Sequence, residues 1–488
     1  MGTTRKFTVL HSNDMHGDFL AEVAEGKTEL VGGLALLSGY INRVRDEEEH
    51  VFYVISGDML QGSLIDSEFK GISTIEIMNY LSPDVVALGN HEMDYGLPHL
   101  LFLEKMANFP LVNANLFIRK NQRRLMKPYL VLQKAGLEVL FTGILTEKAM
   151  VSISQDSLVG SFVDLEEANE AVGRITNAYK KKDIDLTIVL THIGFDSDVE
   201  LARMLDPEWG VDMILGGHSH TILEQPAEEN GVLIAQAGVG TDQIGRFDLV
   251  VDDDTNAIVD WTWELVRIEP GIAEPDARLT EFIGSYKEIV DDKYGAMITR
   301  FARKLTHPLR EEESTLGNAM ADIFADAAEC DVMFLGAGSI RVEELGPAVT
   351  LGDVLACFPY DDTLTRYTVS GDVLKGAFAH TMRNKNRDGE GECYQVNSGV
   401  AAVYDTGSDS LVSLTIAGEQ IDPAGEYTIC LQGYHAKNAE EYLAVPSAVL
   451  EDSGSPKVVA TSAQQVLDEY LRNSHNLESV IEGRLVYQ

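Results

Sequence analysis

Basic residues are scarce in this chain of 488 residues, in which 38 lysines and arginines stand against 78 aspartates and glutamates. The formal net charge of −40 repels polyanions, and this argues against nucleic acid or an anionic membrane surface as the main partner. An anionic substrate would need bound cations or converging arginines that reverse this field locally. Any binding of an anion must therefore depend on a local concentration of positive charge.

Cysteine and long apolar runs are also sparse. The four cysteines all lie in the C-terminal third and form no CxxC pair, which excludes the common zinc and redox signatures and favours free buried thiols. No run of about eighteen or more apolar residues occurs, so we expect no integral membrane association. The start MGTTRKFTVLH contains no apolar segment of signal-peptide length. The expected location is the cytoplasm, unless a leader was removed before this numbering begins.

The length and the pattern of the chain predict two domains. A chain of 488 residues exceeds the size at which a single hydrophobic core stops growing. In the first half, β-rich runs such as KFTVL and VFYVI alternate with helical patterns, which is typical of stacked β–α units. We therefore predict a first domain at residues 1–268, a linker helix within 269–300, and a second α/β domain at 301–488.

Five apolar runs of the first half end in a glycine-rich or polar turn that carries metal-ligating residue types. In chain order, these turns contain Asp14 and His16, Asp58, Asn90, His192, and His218 with His220. The carboxyl ends of strands in an open α/β sheet meet at one crevice, so we expect these side chains to converge. Such oxygen and nitrogen ligands suit first-row divalent cations, and there are enough of them for two ions that share a bridging carboxylate, most naturally that of Asp58. One such turn alone is compatible with a solvated loop, but the recurrence after five strands favours a two-metal site.

The motifs LHSNDMHG, GDMLQGS, GNHEMDYG and GGHSHT resemble those of the 5′-nucleotidase/UDP-sugar hydrolase branch of the calcineurin-like metallophosphoesterases. The resemblance covers essentially the whole chain. It implies a mixed α/β (α+β) architecture with an N-terminal four-layer β-sandwich flanked by helices, a linker helix, and a smaller C-terminal α/β substrate domain. It implies two divalent metal ions (Mn, Zn, Co, Fe or Mg), one held by Asp14, His16, Asp58 and His220, the other by Asp58, Asn90, His192 and His218.

The resemblance also implies a reaction. A hydroxide shared by the two ions would attack the phosphorus of a small-molecule nucleotide or other phosphate ester, chiefly a nucleoside 5′-monophosphate. His91 would assist the leaving group, and Asp94 would orient and charge its imidazole. We expect Glu92, in the same turn, to be structural and to bond to backbone amides.

Substrate-binding candidates lie in the second predicted domain. Arg341 follows the glycine-rich turn of VMFLGAGSIR and suits a phosphate or carboxylate, although a surface salt bridge is the alternative. The resemblance places Tyr360 and Tyr434 where two aromatic rings clamp the base, and ordinary core or rim tyrosines are the alternative.

Two departures from the family pattern bear on the substrate. Gly336 stands where the family segment N-x-G-x-I-R has its asparagine. A glycine-rich G-G-D-G is replaced by residues 437–441, in which Glu440 is the candidate to replace the aspartate that meets the ribose. These departures leave nucleoside specificity open.

Three functions are therefore compatible with the sequence. The first is hydrolysis of nucleoside 5′-monophosphates, with nucleotide-sugar or dinucleotide pyrophosphate bonds as side activities. The second keeps the metals but takes a cyclic nucleotide or a non-nucleotide phosphate ester. The third is a binding or scaffold protein, which predicts a broken metal ligand, whereas every ligand position is filled. The sequence carries no prediction of oligomeric state.

Overall fold

The computed structural model describes residues 4–23, 30–118, 123–134, 136–146, 164–180, 182, 184–387, 392–452 and 456–488. The chain divides into two compact units, Met1–Val290 and Asp291–Gln488. The helix Ala277–Tyr294 occupies the predicted linker region, and most of its length belongs to the first unit. Within the first unit, the hydroxyl of Tyr286 in this helix donates a hydrogen bond to Glu76.

Two mixed β-sheets form the centre of the first unit. The first sheet has the strand order Ala257–Arg267, Gln243–Asp252, Thr4–Ser12, Val51–Ser56, Val85–Ala87 and Leu111–Val112. The second sheet has the order Ala227–Glu229, Val232–Ala235, Met213–Leu215, Leu186–His192, Leu137–Leu145 and Tyr129–Lys134. The inner strands of both sheets pair in parallel, with Val9 beside Phe52 in the first and Ile188 beside Met213 in the second.

A hydrophobic core lies between the two sheets. Successive side chains of a strand point to opposite faces, so each strand sends every second side chain into this core. Val9 and Phe52 enter it from the first sheet, and Phe141 and Ile188 enter it from the second. A further core lies on the outer face of the second sheet, where helical residues such as Val172 are buried against strand residues.

Helices complete the layers of the first unit, which gives the predicted sequence of helix, sheet, sheet and helix. The helices are Leu34–Glu47, Leu64–Glu68, Ile72–Leu81, Leu97–Met106, Leu165–Tyr179 and Phe195–Met204, with short 3₁₀ turns at His91–Met93 and Pro207–Trp209. Small two-stranded pairs are Glu22–Val23 with Leu30–Val31 and Phe117–Ile118 with Arg123–Arg124.

The second unit is also mixed α/β. Its larger sheet has the order Tyr394–Gln395, Val332–Gly336, Glu426–Gln432, Leu364–Ser370 and Lys457–Ala460, and a second sheet has the order Glu419–Gln420, Ser410–Ile416, Val400–Asp405 and Leu485–Tyr487. Two-stranded pairs are Met297–Arg300 with Ala348–Thr350 and Leu305–Thr306 with Glu344–Leu345. The helices are Thr315–Ala328, Leu351–Cys357, Gly371–Thr381, Gly433–Lys437, Ala439–Leu443, Ser447–Asp452 and Ala463–Asn473.

Local chemistry explains where several of these helices begin. Ser314 precedes the helix Thr315–Ala328, and its hydroxyl accepts a hydrogen bond from Gly317 N at 3.0 Å, which satisfies an otherwise unpaired helical donor. Thr350 and Asp353 form a reciprocal capping box at the start of Leu351–Cys357. Among the described residues, no helix combines the length and the apolar composition that crossing a membrane requires.

Candidate active site

The predicted ligand-bearing turns converge in the first unit, where they form two adjoining groups. The first group contains Asp14, His16 and His220. Asp14 Oδ1 lies 3.4 Å from His220 Nε2 and 3.8 Å from His16 Nε2, and the two imidazole nitrogens are 3.1 Å apart. These three residues come from turns that are more than 200 positions apart in the sequence.

The second group contains Asp58, Asn90, His192 and His218. His192 Nε2 lies 3.0 Å from Asp58 Oδ2 and 3.2 Å from Asn90 Oδ1, which is itself 3.0 Å from His218 Nδ1. The two groups adjoin, because Asp14 Oδ1 of the first group is 3.8 Å from His192 Nε2 of the second. In addition, an oxygen of Asp58 lies within 4.8 Å of ring nitrogens of His16 in the first group and of His192 and His218 in the second. The structure thus brings all the predicted metal-binding residues together, and we call them the ligand cluster: Asp14, His16, Asp58, Asn90, His192, His218 and His220.

The backbone of the ligand cluster is in an unusual conformation. Five of its members have φ between 48° and 81°, namely Asp14, His16, Asp58, His218 and His220. Non-glycine residues rarely adopt this left-handed region, and each instance costs roughly 1–3 kcal/mol unless the surroundings enforce it. Such strain gathers at functional sites, and here it directs the side chains of several turns toward one point.

Glycines allow the turns to approach one another closely. A Cβ atom at Gly89 would overlap Asp58 Oδ1, and one at Gly217 would lie 2.8 Å from Asp14 Oδ2. Any larger residue at either position would displace a carboxylate of the ligand cluster. This explains why the motifs GNH and GGHSH carry glycine directly before the ligating residues.

Glu92 holds two of these turns together through backbone hydrogen bonds, as the sequence predicts. Its buried carboxylate accepts from Asp58 N at 3.0 Å, from Met59 N at 2.7 Å and from Gly89 N at 2.6 Å. Burial, assisted by the neighbouring charge of Asp58, raises the pKa of Glu92 to about 7. Glu92 therefore links the turn that carries Asp58 to the turn that carries Asn90.

The donor set fits divalent metal ions. His192 Nδ1 donates to Ser56 O at 2.8 Å, so a neutral His192 directs the lone pair of Nε2 toward Asn90 and Asp58. Facing lone pairs repel unless a proton or a cation lies between them. Burial alone would lower the pKa of His192, but the carboxylates of Asp58 and Asp14 outweigh it and raise that pKa to about 9. The buried carboxylates of Asp14 and Asp58 thus carry negative charge that bound divalent cations would offset.

His91 and Asp94 form a hydrogen-bonded pair beside the ligand cluster. His91 Nδ1 lies 2.6 Å from Asp94 Oδ2, and the other ring nitrogen, Nε2, lies 4.0 Å from Asp58 Oδ2. The hydrogen bond to Asp94 raises the pKa of His91 in spite of partial burial. The imidazole is therefore held at one nitrogen and faces the cluster with the other.

Sequence reasoning missed a polar network that supports the ligand cluster. Asp198 is fully buried and accepts from Thr191 Oγ1 at 2.6 Å and from Gln236 Nε2 at 2.8 Å. Gln236 in turn accepts from Ser219 Oγ at 3.0 Å. Burial raises the pKa of Asp198 to about 7. The network joins the end of the strand Leu186–His192 to the turn that carries His218 and His220, and no local motif marks its members.

A second site lies in the second unit and contains three of the predicted substrate-binding residues. Arg341, Tyr360 and Tyr434 line one cavity of about 360 Å³. We call it the tyrosine cavity, and its lining comprises Arg310, Gly338, Ser339, Arg341, Tyr360, Asp361, Asp362, Glu392, Gln432, Tyr434 and His435. The tyrosines are not core residues, because Tyr360 is 57% and Tyr434 is 55% exposed. The Arg341 guanidinium carbon lies 5.8 Å from the centre of the Tyr360 ring.

Glu440, the remaining predicted substrate residue, is not part of this lining. The region around it forms two short helices, Gly433–Lys437 and Ala439–Leu443, and Glu440 is exposed in the first turn of the second helix. In contrast, the sequence provided no reason to select Arg310, Glu392 or His435, which do line the cavity. Arg310 and Glu392 come from segments without a recognisable motif, and His435 directly follows the predicted Tyr434, so the three meet only in the folded unit.

Comparisons with known proteins agree with this architecture. Residues 7–221 match the family described as calcineurin-like phosphoesterase, and residues 295–446 match the 5′-nucleotidase C-terminal domain. The chain is 26% identical over 541 aligned positions to a protein named 5′-nucleotidase from Vibrio parahaemolyticus, with 100% of this chain and 93% of that protein covered. It is 27% identical over 443 positions to a 5′-nucleotidase-related protein from Glossina morsitans morsitans, covering 81% of this chain and 78% of the relative.

A solved structure shows a similar fold over the full length. The crystal structure of a 5′-nucleotidase precursor from Thermus thermophilus superimposes with a TM-score of 0.64, at 23% identity and with 99% of each chain covered. The ligand cluster lies within the residues that match the calcineurin-like phosphoesterase, and the tyrosine cavity lies within the unit that contains the 5′-nucleotidase C-terminal domain. The chain belongs to the 5′-nucleotidase family of calcineurin-like metallophosphoesterases and is a metal-dependent hydrolase of phosphoric esters.

Proposed function

We propose that this chain hydrolyses nucleoside 5′-monophosphates to a nucleoside and inorganic phosphate. The observation that carries the proposal is the tyrosine cavity, in which two half-exposed tyrosines and Arg341 line one space. An exposed aromatic ring is a platform on which a flat heterocycle stacks, and a guanidinium binds phosphate or other anionic groups through its planar fork. A phosphate ester without a heterocyclic base would leave the two tyrosine rings unused.

The ligand cluster serves the phosphoryl group in this proposal. Two divalent ions held there would supply positive charge to the phosphoryl oxygens and would lower the pKa of the water that acts as nucleophile. The protein fixes the ligands for this task through Glu92, which holds two of the turns by three backbone hydrogen bonds. The ligands need little reorganisation when substrate enters, since the turns that carry them already hold their geometry.

His91 serves the leaving group. Asp94 accepts a hydrogen bond from His91 Nδ1 and fixes the orientation of the ring, so Nε2 is the atom that can donate a proton to the departing 5′ oxygen. A 5′ alkoxide is a poor leaving group, and a proton donated during bond cleavage lowers the barrier. General acid catalysis of this kind typically contributes about 10²- to 10⁴-fold in rate.

Phosphate release from metal-stripped protein resupplied with Mn, Co, Mg or Zn tests the proposal. We expect metal-dependent release from nucleoside 5′-monophosphates and much slower release from 3′-monophosphates, cyclic nucleotides, nucleotide sugars and sugar phosphates. Release from the other esters alone would overturn the substrate assignment, and no release with any metal would overturn the activity as well.

Variants of the tyrosine cavity sharpen this test. Combining Arg341→Ala, Tyr360→Ala and Tyr434→Ala should reduce kcat/KM for 5′-monophosphates at least about 100-fold, since stacking contributes ~1–3 kcal/mol per base. Turnover of p-nitrophenyl phosphate should change far less. Tyr80→Ala is a matched control, because Tyr80 is 46% exposed and lies in the other unit. An equal loss on both substrates would contradict a role of the cavity in binding the nucleoside.

A further inference from the structure

His435 is a buried polar side chain in the lining of the tyrosine cavity. Its side chain is only 3% exposed, and its Nδ1 has no hydrogen-bond partner among the described residues. The imidazole stands edge-on to the ring of Tyr434 at 5.3 Å between ring centres, and it also contacts Tyr394 at 5.3 Å. A buried imidazole with unused hydrogen-bonding capacity is costly, so its position beside a stacking tyrosine points to a ligand.

The position of His435 depends on Gly336. A Cβ atom at Gly336 would overlap His435 Cε1 and Nε2, so no larger residue fits there while the imidazole is present. The backbone of Gly336 has φ of −56° and ψ of 120°, which any residue adopts. The imidazole, with Glu392 Oε1 at 3.3 Å from the same Cβ position, therefore excludes a side chain at 336, where the resemblance leads us to expect asparagine.

Glu392 provides the complementary group. Its carboxylate lines the same cavity, and Oε1 accepts a hydrogen bond from Gly338 N at 3.3 Å. The distance from Glu392 Oε1 to His435 Nε2 is 3.9 Å, which is too long for a hydrogen bond. A carboxylate offers about four lone-pair positions, so Glu392 retains capacity to accept hydrogen bonds from a ligand.

We propose that His435 and Glu392 select nucleotides whose base carries an exocyclic amino group, such as adenine or cytosine, over the corresponding oxo bases. The amino group donates a hydrogen bond to the Glu392 carboxylate, and the neighbouring ring nitrogen of the base accepts a hydrogen bond from the imidazole of His435. An oxo base instead points a carbonyl oxygen at the carboxylate, and Glu392 is then left without a hydrogen-bond donor from the base. This inference rests on the proposed function, since it concerns the base of the nucleotide.

Nucleoside binding to the full-length protein tests the selection without requiring turnover. Calorimetric titration compares adenosine with inosine and cytidine with uridine, two pairs in which an amino group is exchanged for an oxygen. We expect the amino member of each pair to bind at least about tenfold more tightly, the discrimination that one hydrogen bond to a charged group supplies. Equal affinities, a preference for the oxo member, or no measurable binding of any of the four would overturn the inference.

Two substitutions locate the selection. Glu392→Gln should reduce the preference to about twofold or less, because the side-chain amide can present either a donor or an acceptor to the base. His435→Ala should weaken the amino nucleosides more than the oxo nucleosides. Glu419→Gln is the matched control, since Glu419 is exposed in the same unit outside the cavity, and it should keep the full preference. A preference that survives Glu392→Gln unchanged would refute the assignment.

The steric relation between the two positions has its own test. Gly336→Asn should lower the Tm of the protein, and the same substitution in a His435→Ala background should lower it much less. Equal Tm changes in the two backgrounds would contradict the exclusion of a side chain at 336 by the imidazole.

Phosphate release separates failure of this inference from failure of the proposed function. Release from 5′-monophosphates without any amino preference would reject the inference alone. An amino preference in nucleoside binding without release from any 5′-monophosphate would reject the proposed function alone.

Discussion

Replacing Glu92 by glutamine tests whether its carboxylate holds the metal-binding turns in place. Glu92 is 1% exposed and accepts three backbone hydrogen bonds, two at Oε2 from Asp58 N and Gly89 N and one at Oε1 from Met59 N. Glutamine has nearly the same shape but only one acceptor oxygen. If that oxygen keeps the two bonds at the Oε2 position, the amide nitrogen faces Met59 N, and a buried donor is left without an acceptor.

The expected cost follows from this count. One unsatisfied buried donor costs about 1–3 kcal/mol, and the two remaining bonds lose their charge-assisted strength, at roughly 0.5–1 kcal/mol each. The sum is on the order of 2–5 kcal/mol, which corresponds to a decrease in Tm of roughly 3–8 °C for a unit of this size. Because the displaced turns carry Asp58 and Asn90, metal affinity should also fall, by about 10- to 100-fold.

Differential scanning calorimetry and metal titration measure these two effects. The matched control is Glu49→Gln, since the side chain of Glu49 is 90% exposed, and it should leave both quantities unchanged. An unchanged Tm together with unchanged metal affinity in Glu92→Gln would refute the reasoning that these hydrogen bonds hold the turns. A lower Tm with unchanged affinity would show that Glu92 stabilises the fold without positioning the ligands.

Three further predictions concern the leaving group, the metals and a buried carboxyl. Asp94→Asn should lower kcat for AMP by about 100-fold. It should lower kcat for p-nitrophenyl phosphate by less than about tenfold, because that leaving group needs no proton. Equal losses of kcat on the two substrates would contradict the leaving-group role of His91. Removing divalent cations with a chelator should lower the Tm, because buried Asp14 and Asp58 then lack a counter-charge, and adding Mn should restore the Tm. A Tm that does not respond to metal would contradict metal binding by the ligand cluster. Burial raises the pKa of Asp212 to about 7. Between pH ~4 and pH ~7 the folded state therefore holds a proton on this carboxyl that the unfolded state has lost. The contribution of this group to the free energy of unfolding falls as the pH rises through that range. Asp212→Asn, which can still accept from Thr187 N, should therefore stabilise the protein by on the order of 2 kcal/mol at pH 8 and little at pH 4, and urea unfolding at the two pH values checks this.

The ligand cluster illustrates what can be predicted without coordinates. Each of its members lies at the last residue of a buried strand or in the short turn after one, and both the strand period and the turn composition are local properties of the chain. Parallel strands then bring their carboxyl ends together, which is a general rule of such sheets. The convergence of Asp14 with His220 thus followed from local patterns, although they are separated by 206 positions.

The Glu440 region illustrates a different case. The resemblance to the G-G-D-G pattern indicated Glu440 as a substrate residue, but the segment forms two short helices without the glycines of that pattern, and the side chain is exposed outside the cavity lining. His435, one position after Tyr434, lies in the cavity instead. Spacing identifies a position along the chain, whereas the local backbone conformation determines the direction in which its side chain points.

By itself, the sequence determined the fold class, and it predicted two domains and the seven residues that converge in the ligand cluster, because each of these depends on composition, periodicity or a contiguous motif. Only the tertiary structure decided which buried groups support them: the network of Asp198 with Gln236, and the placement of His435 against Gly336 and beside Glu392. These residues lie in different segments and have no shared pattern. Their roles arise from packing and from the cost of burying polar atoms, and both depend on which distant segments the fold brings into contact.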